Sequence, residues 1–287
     1  MSSAYLNGEF LPLADARVSV MDRGFLFGDG VYELIPVYSR RPFRLTEHLR
    51  RMQATLDGIR LANPLSEAEW RQMIDRMIEV SPSEDQSIYI QITRGPMAVR
   101  NHAFPKTVTP TVFALGEALQ PPATAWREQG VTAISHADIR WLRCDFKVTA
   151  LLANCLLRQM AIDAGCMETL LFRDGFLTEG SASNIFVVKN GLLLAPPRSH
   201  LMLSGVTYDV VLEIAAAQGL AVELRDISDE EVRRADEVWL TSSTKEVLPI
   251  VQLDGQPIAD GRPGPLFQQM ISWYQQFKQN VMRADTP

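Results

Sequence analysis

Two consecutive prolines, Pro121 and Pro122, within Gln120-Pro-Pro-Ala-Thr-Ala-Trp126, interrupt the apolar patterning of the chain. Adjacent pyrrolidine rings remove two backbone donors and fix φ, so neither a helix nor a central strand runs through them. The apolar pattern restarts at Val131. With 287 residues, 46% of them hydrophobic, the chain can bury one large core or two modest ones, and the proline break selects two. The expectation is an α/β protein with a small mixed α/β domain over residues 1–120 and a larger domain over 121–287.

Periodicity fills in the elements. Asn7-Gly8 predicts a hairpin turn. Leu49, Met52, Leu56 and Ile59 recur at helical spacing behind Thr46, which reads as an N-cap. Ser66 and Glu69 form a capping-box pattern ahead of Trp70, Met73, Ile74, Met77 and Ile78. Ile88, Ile90 and Ile92 alternate, which predicts a strand over 87–93; residues 111–115 predict another. Past the break, a strand is expected to end at Lys147, followed by a helix over 149–164 closed by Gly165. Strands over 169–172, 185–188 and 237–241 follow, with Asp174-Gly175 and Asn190-Gly191 as turns. Ser204-Gly-Val-Thr207 opens a helix to about Gly219, and 265–282 reads as a terminal helix with Leu266, Met270, Ile271, Tyr274 and Phe277 inward.

Charge and composition exclude several classes of function. There are 28 Lys and Arg against 34 Asp and Glu, a formal charge of −6, and no long basic run, so a sequence-independent grip on nucleic acid is not expected. No basic segment followed by an apolar one opens the chain and no apolar stretch reaches membrane-spanning length, so the expected compartment is the cytoplasm. Cys144, Cys155 and Cys166 are odd in number and make no CxxC; they read as buried reduced thiols, Cys155 on the apolar side of a helix. His48, His102, His136 and His200 lack metal-ligand spacing, so no metal is expected.

The chemistry concentrates on a few charged residues in apolar surroundings. Lys147 is the lone lysine in Trp141-Leu-Arg-Cys-Asp-Phe-Lys-Val148, and burial lowers a lysine's pKa and makes its amine a nucleophile and general base. Glu179, in Leu177-Thr-Glu-Gly-Ser-Ala-Ser-Asn184, is a carboxylate among small residues between two strands. Gly205, Val206 and Thr207 would aim backbone N–H groups out of a first helical turn, Arg51 could add a cation, and Thr241-Ser-Ser-Thr244 could add hydroxyls: a phosphate site. Arg94-Gly-Pro-Met-Ala-Val-Arg100-Asn-His102 carries an arginine beside a histidine, a natural trap for a carboxylate. Each has a plainer reading taken singly: a turn glutamate, a serine N-cap, a solvated helix arginine, an ordinary charged loop. Together, an amine, a carboxylate and an anion site are the parts that hold pyridoxal phosphate. The glycine-rich stretch 22–33 lacks the third glycine and following helix of a dinucleotide fingerprint; its glycines read as letting backbone pass close to a ligand or another subunit.

The order of these segments resembles the class IV aminotransferases, the fold-type IV pyridoxal phosphate enzymes, and within them the D-amino-acid transaminase branch. The matching stretches are Asp22-Arg-Gly-Phe-Leu-Phe-Gly-Asp-Gly-Val-Tyr-Glu33, Glu47-His-Leu-Arg-Arg-Met52 and Ile92-Thr-Arg-Gly95. They continue with Ile139 to Lys147, Thr178-Glu-Gly-Ser-Ala-Ser-Asn184 and Ser204-Gly-Val-Thr-Tyr-Asp-Val-Val211. The resemblance spans nearly the whole chain. It implies a barrel-like sheet in the larger domain, pyridoxal 5'-phosphate between the domains, Lys147 as the catalytic amine bonded to the cofactor, and Glu179 facing the pyridine nitrogen. It further implies Arg51, Val206, Thr207 and Ser243 on the phosphate, and Tyr32, Arg100 and His102 on the substrate carboxylate, with the last two reaching in from the partner of a homodimer. The implied reaction is transamination of a D-amino acid such as D-alanine with 2-oxoglutarate as acceptor. A branched-chain L-amino-acid aminotransferase, an aminodeoxychorismate lyase and a cofactor-binding protein without turnover are the rivals on the same fold; the Arg100/His102 pair argues against the first, and the intact loop against the last. Two departures bear on side-chain preference and carboxylate geometry: the loop from Gly95 to Arg100 is one residue longer than the family pattern, and Ala182 replaces a common serine.

Overall fold

The computed structural model describes residues 3–284; the outermost residues of the expected domains, 1–2 and 285–287, lie outside it. Two compact units are present. The first extends to Gln120 and takes in Phe146–Leu151; the second is Pro121–Asp145 and continues from Leu152.

In the first unit, β1 (Ser3–Leu6) and β2 (Glu9–Pro12) form a hairpin, followed by the short helix α1 (Arg23–Phe27). Then come β3 (Gly30–Tyr38), β4 (Arg41–Pro42), α2 (Leu45–Gly58), α3 (Glu67–Val80), β5 (Gln86–Thr93) and β6 (Thr111–Ala118). The strands make one antiparallel sheet in the order β2-β1-β6-β5-β3-β4. Asn7 and Gly8 take the positive φ values, +51° and +103°, that the first hairpin requires. Ile88, Ile90 and Ile92 lie on one face opposite Ile35, Glu33 and Val31, and the apolar members pack on Met52 and Leu56 of α2 and Trp70, Ile74 and Met77 of α3. Each such side chain contributes about 1.5–3 kcal/mol by leaving water.

The capping box at Ser66 and Glu69 forms as expected: Ser66 N donates to Glu69 Oε2 at 2.7 Å and Glu69 N to Ser66 Oγ at 3.3 Å. Thr46 is not an N-cap. The helix starts one residue earlier, and the position before it is Arg44, left-handed at φ +54° and without a side-chain cap.

The segment around Lys147, expected in the larger domain at a strand end, packs with the first unit instead. It is irregular, and β3 supplies its hydrogen-bond partners: Tyr32 N donates to Lys147 O at 2.9 Å and Thr149 N to Gly30 O at 3.0 Å, while Val148 bridges Val31. The Phe146 ring sits against Gly58, where an added Cβ would lie 2.3 Å from its Cζ.

The second unit contains α4 (Thr124–Gln129), β7 (Val131–Ala137), α5 (Leu152–Asp163), β8 (Glu168–Arg173), β9 (Phe176–Gly180), β10 (Asn184–Lys189) and β11 (Leu192–Ala195). It continues with α6 (Val206–Ala217), β12 (Val222–Leu224), α7 (Asp229–Arg233), β13 (Glu237–Ser242), β14 (Glu246–Leu253), β15 (Gln256–Pro257) and α8 (Pro265–Phe277). The mixed sheet runs β12-β11-β10-β13-β14-β7-β8-β9, with β15 paired to β14, and curls into a half-barrel. Its core gathers Leu170, Ile185, Val187, Val238, Leu240, Leu248 and Ile250. Asp174-Gly175 and Asn190-Gly191 both turn with positive φ, as their sequence requires.

Three expectations here are corrected. The helix predicted over 149–164 begins only at Leu152, because Thr149 is engaged by the Gly28 and Gly30 carbonyls. Cys155 is exposed, since the apolar stripe of α5 is largely uncovered; Cys144 is buried and Cys166 intermediate. In the last helix Phe267, Met270 and Tyr274 are buried, whereas Leu266, Ile271 and Phe277 are only half-buried, and the helix widens to a π-type turn from Lys278 to Met282. The buried Glu237 carboxylate anchors the start of α8, accepting from Leu266 N and Phe267 N at 2.8 Å each and from Trp239 Nε1 at 2.9 Å. Among the described residues, no helix is long and apolar enough to cross a membrane, and no three His, Cys, Asp or Glu side chains cluster as a metal site would require.

Candidate active site

Within the first unit the backbone bonds to β3 hold Lys147 half-buried, with its Nζ 4.1 Å from the centre of the Tyr32 ring. An ammonium over a phenol face is held by cation–π attraction while shedding part of its water. Tyr32 in turn packs beside Tyr89 of β5, ring centres 5.7 Å apart. Strand alternation sends the next residue, Glu33, to the opposite face, where it is fully buried against α2.

Glu33 holds two partners from that helix. Arg51 reaches both carboxylate oxygens, Nε to Oε2 at 2.9 Å, and His48 Nδ1 lies 3.2 Å from Oε1. Burial favours the neutral acid, but the Arg51 charge and the His48 hydrogen bond outweigh it and keep Glu33 well below the usual carboxylate range. His48 is completely buried and its pKa is lowered by that burial, so the imidazole is neutral at pH 7. Sequence reasoning gave neither Glu33 nor His48 a role. The available signal was a carboxylate on the inward face of an apolar strand and an imidazole on the inward face of the helix that covers it.

Arg100 and His102 are exposed on the loop after β5, and the Phe27 ring brings them together: the Arg100 guanidinium lies 5.0 Å and the His102 ring 5.2 Å from its centre. Within the one chain, no hydrogen bond or ring contact joins either residue to Tyr32. Arg94 is buried and bound to Asp29, so it does not belong with the exposed donors of this loop.

In the second unit Glu179 occupies the end of β9, 5% exposed. Arg140 Nη1 is bonded to one of its oxygens; Leu203 N at 3.2 Å and Asn184 Nδ2 at 3.3 Å reach the other. Arg140 is itself fixed by Asp138, Nε to Oδ1 at 2.9 Å and Nη2 to Oδ2 at 2.8 Å. Burial pushes Glu179 up to about 7 in spite of Arg140, so this carboxyl exchanges its proton near neutrality. Burial also opposes the Arg140 charge, but Asp138 and Glu179 together hold it firmly protonated.

Asn184 gathers the remaining groups at the same corner. Its side chain also donates to Leu203 O at 2.8 Å, it pairs in register with Thr241 across β10 and β13, and its Oδ1 would lie 2.3 Å from a Cβ on Gly205. Gly205, not Ser204, is the N-cap of α6, and lacking a side chain it adds no cap of its own to the first turn, where Val206 and Thr207 sit. Ser243 follows β13 in the turn to β14, two residues after Thr241, whose buried Oγ1 has no hydrogen-bond partner. The structure therefore brings Glu179, Val206, Thr207 and Ser243 to one end of the sheet, and it adds Arg140 and Asn184, for which sequence gave no role. An uncapped helix start with an orphaned hydroxyl beside it is suited to bind an anion, and a buried carboxyl titrating near 7 is suited to share a proton with a ring nitrogen. This donor set fits the phosphate and ring nitrogen of pyridoxal phosphate, and within the first unit the half-buried amine of Lys147 fits its aldehyde.

The sequence matches the amino-transferase class IV family over residues 30–253, which makes the chain a member of the class IV aminotransferases, enzymes that use pyridoxal phosphate for transamination. It is 38% identical to the D-alanine aminotransferase of Bacillus licheniformis over 260 residues, 91% of each chain. It is 36% identical to the D-alanine aminotransferase of Staphylococcus aureus (strain MW2) over 278 residues, 96% of this chain and 98% of that one. Among solved structures it resembles the branched-chain amino acid aminotransferase of Escherichia coli, with a TM-score of 0.89 at 25% identity over 99% and 96% of the two chains. A second branched-chain amino acid aminotransferase, the T.th. enzyme with pyridoxamine 5'-phosphate, also gives 0.89, at 26% identity over 96% and 93%.

Proposed function

We propose that this chain is a pyridoxal 5'-phosphate-dependent D-amino-acid transaminase, working on D-alanine or a similar donor with 2-oxoglutarate as acceptor. The observation that carries the reading is the Arg100/His102 pair seated on Phe27, a carboxylate trap on a loop, in a chain whose curated relatives include D-alanine aminotransferases. Bound here, the cofactor supplies an aldehyde that condenses with amines and a ring that draws electrons from the substrate α-carbon.

The chain's own residues do the rest. Lys147 is the catalytic amine: it binds the cofactor and, once released, takes the α-proton and returns it on the other side of the reaction. Glu179, oriented by Arg140 and Asn184, holds the proton at the ring nitrogen. Val206 and Thr207 at the start of α6, with Ser243 and Arg51, bind the phosphate. Tyr32, Arg100 and His102 hold the substrate carboxylate, and because one amine removes only the hydrogen aimed at it, that grip selects the D-isomer.

We place the protein in the cytoplasm as a homodimer in which the Arg100 loop serves the partner's site. Leu152, Leu156 and Met160, at spacing four on α5, are 74%, 50% and 40% exposed, an apolar stripe that supports burial against a second copy. The likeness to branched-chain aminotransferase structures supports the second reading, an L-amino-acid enzyme. A panel of D- and L-amino acids with 2-oxoglutarate, extended to aminodeoxychorismate, separates the readings. D-alanine should yield pyruvate and D-glutamate; turnover of L-leucine without D-alanine would overturn the D-specific assignment, and pyruvate from aminodeoxychorismate without an acceptor would make it a lyase.

A further inference from the structure

Arg23, on α1, is a charged side chain only 3% exposed, and none of the roles above uses it. Its guanidinium faces the main chain of the carboxylate loop. Nη1 donates to Asn101 O at 2.7 Å and Ala103 O at 3.3 Å, and Nη2 donates to His102 O at 3.0 Å, so three successive carbonyls converge on one cation. Met97 Sδ lies 3.5 Å from the same Nη1.

The guanidinium is itself held in place. Nε donates to Asp29 Oδ2 at 2.6 Å, and Asp29 accepts from Arg94 as well, Nε at 2.9 Å and Nη2 at 3.0 Å. Arg94 is tied to the end of α2 through Arg60 O at 3.0 Å and Ile59 O at 2.8 Å. Burial works against the Asp29 charge, but the two arginines outweigh it and hold the carboxyl below its ordinary range. An ionised Asp29 thus connects the loop clamp to the helix of the first unit.

The same short helix sets the side chains. Phe27, four residues after Arg23, carries Arg100 and His102 on its ring, while Phe104 covers Arg94, whose guanidinium lies 3.7 Å from the Phe104 ring centre. The loop is mostly exposed and contains little bonding of its own beyond Ala103 N to Asn101 Oδ1 at 3.0 Å. Its shape is therefore imposed from outside.

We propose that α1 is the template of the carboxylate trap, and that Arg23 is a positioning residue that sets substrate carboxylate affinity without touching substrate, by fixing the backbone from which Arg100 and His102 project. This rests on the carboxylate reading above. Displacing a binding group by an ångström is enough to cost one to two orders of magnitude.

The test is steady-state kinetics of the holoenzyme with D-alanine and 2-oxoglutarate for wild type, R23Q, R100A and the R23Q/R100A double variant. R23K stands in for R23Q if the latter does not fold, since an ammonium keeps the Asp29 pair but cannot serve three carbonyls. Expected are KM values for both substrates raised about tenfold in R23Q, a smaller change in kcat, an unchanged cofactor absorption band, and a clearly smaller KM increase from R23Q when Arg100 is already alanine. If R100A raises KM and R23Q does not, or if the two effects simply multiply, the template role is wrong and the carboxylate reading stands. If R23Q loses the cofactor band, Arg23 acts on the cofactor and the template role is wrong. If R100A leaves KM unchanged, the carboxylate reading falls and the template role with it.

Discussion

A carboxyl group that titrates near 7 inside a folded protein ties proton binding to stability at a single side chain. Glu179 is raised from an ordinary 4.5 to about 7 by burial, so between those values the native chain keeps a proton that the unfolded chain has lost. The native state binds more protons there, and stability falls as pH rises from about 4.5 through 7. In Glu179→Gln that contribution is absent. Thermal melts of the cofactor-free protein should show wild type losing stability relative to Glu179→Gln between pH 5 and 8, on the order of 1–3 kcal/mol; parallel curves would show that Glu179 is ionised throughout. Lys147 and Glu179 stood out in the sequence because one is the lone lysine of an apolar-flanked stretch and the other a carboxylate among small residues. Arg140 did not. Its importance comes from meeting Glu179 across 39 positions, which no local pattern around Arg140 announces. Glu33 and His48 were hidden for the same reason, since their partnership exists only once α2 has packed on β3.

Elements were read well where local chemistry decides them. The Asn-Gly and Asp-Gly turns need positive φ whatever surrounds them, the Ile88-Ile90-Ile92 alternation has only one face to bury, and Ser66 with Glu69 closes a helix start by itself. Elements were misread where tertiary pairing overrides local pattern, as when β3 draws Lys147 to Thr149 out of helix and strand alike. The two long helices of the first unit make the contrast measurable. Ser66→Ala, which removes a working cap, should cost about 1 kcal/mol in urea denaturation, whereas Thr46→Ala, on an exposed position inside the first turn of α2, should stay within about 0.5 kcal/mol. Equal losses at both sites would mean that Thr46 caps α2 after all.

At the scale of the whole molecule, a change of unit falls between Gln120 and Pro121, and the sequence carries no sign that Phe146–Leu151 packs with the first. Lys147, Tyr32, Arg51 and the Arg100 loop therefore belong to one unit, and Glu179, the start of α6 and Ser243 to the other. The sequence also hid the exposure of α5, since an apolar stripe looks the same whether the chain's own core or a second copy covers it. Leu156→Glu puts a charge in that stripe and should convert a dimer to monomers in sedimentation equilibrium; an unchanged mass would move the interface elsewhere. The proposed chemistry begins with Lys147, and one experiment addresses it directly: load the protein with pyridoxal 5'-phosphate, reduce with borohydride, digest, and map the pyridoxyl group by mass spectrometry. The label should sit on Lys147 alone. A label on another lysine, or none, would contradict the assignment of the catalytic amine.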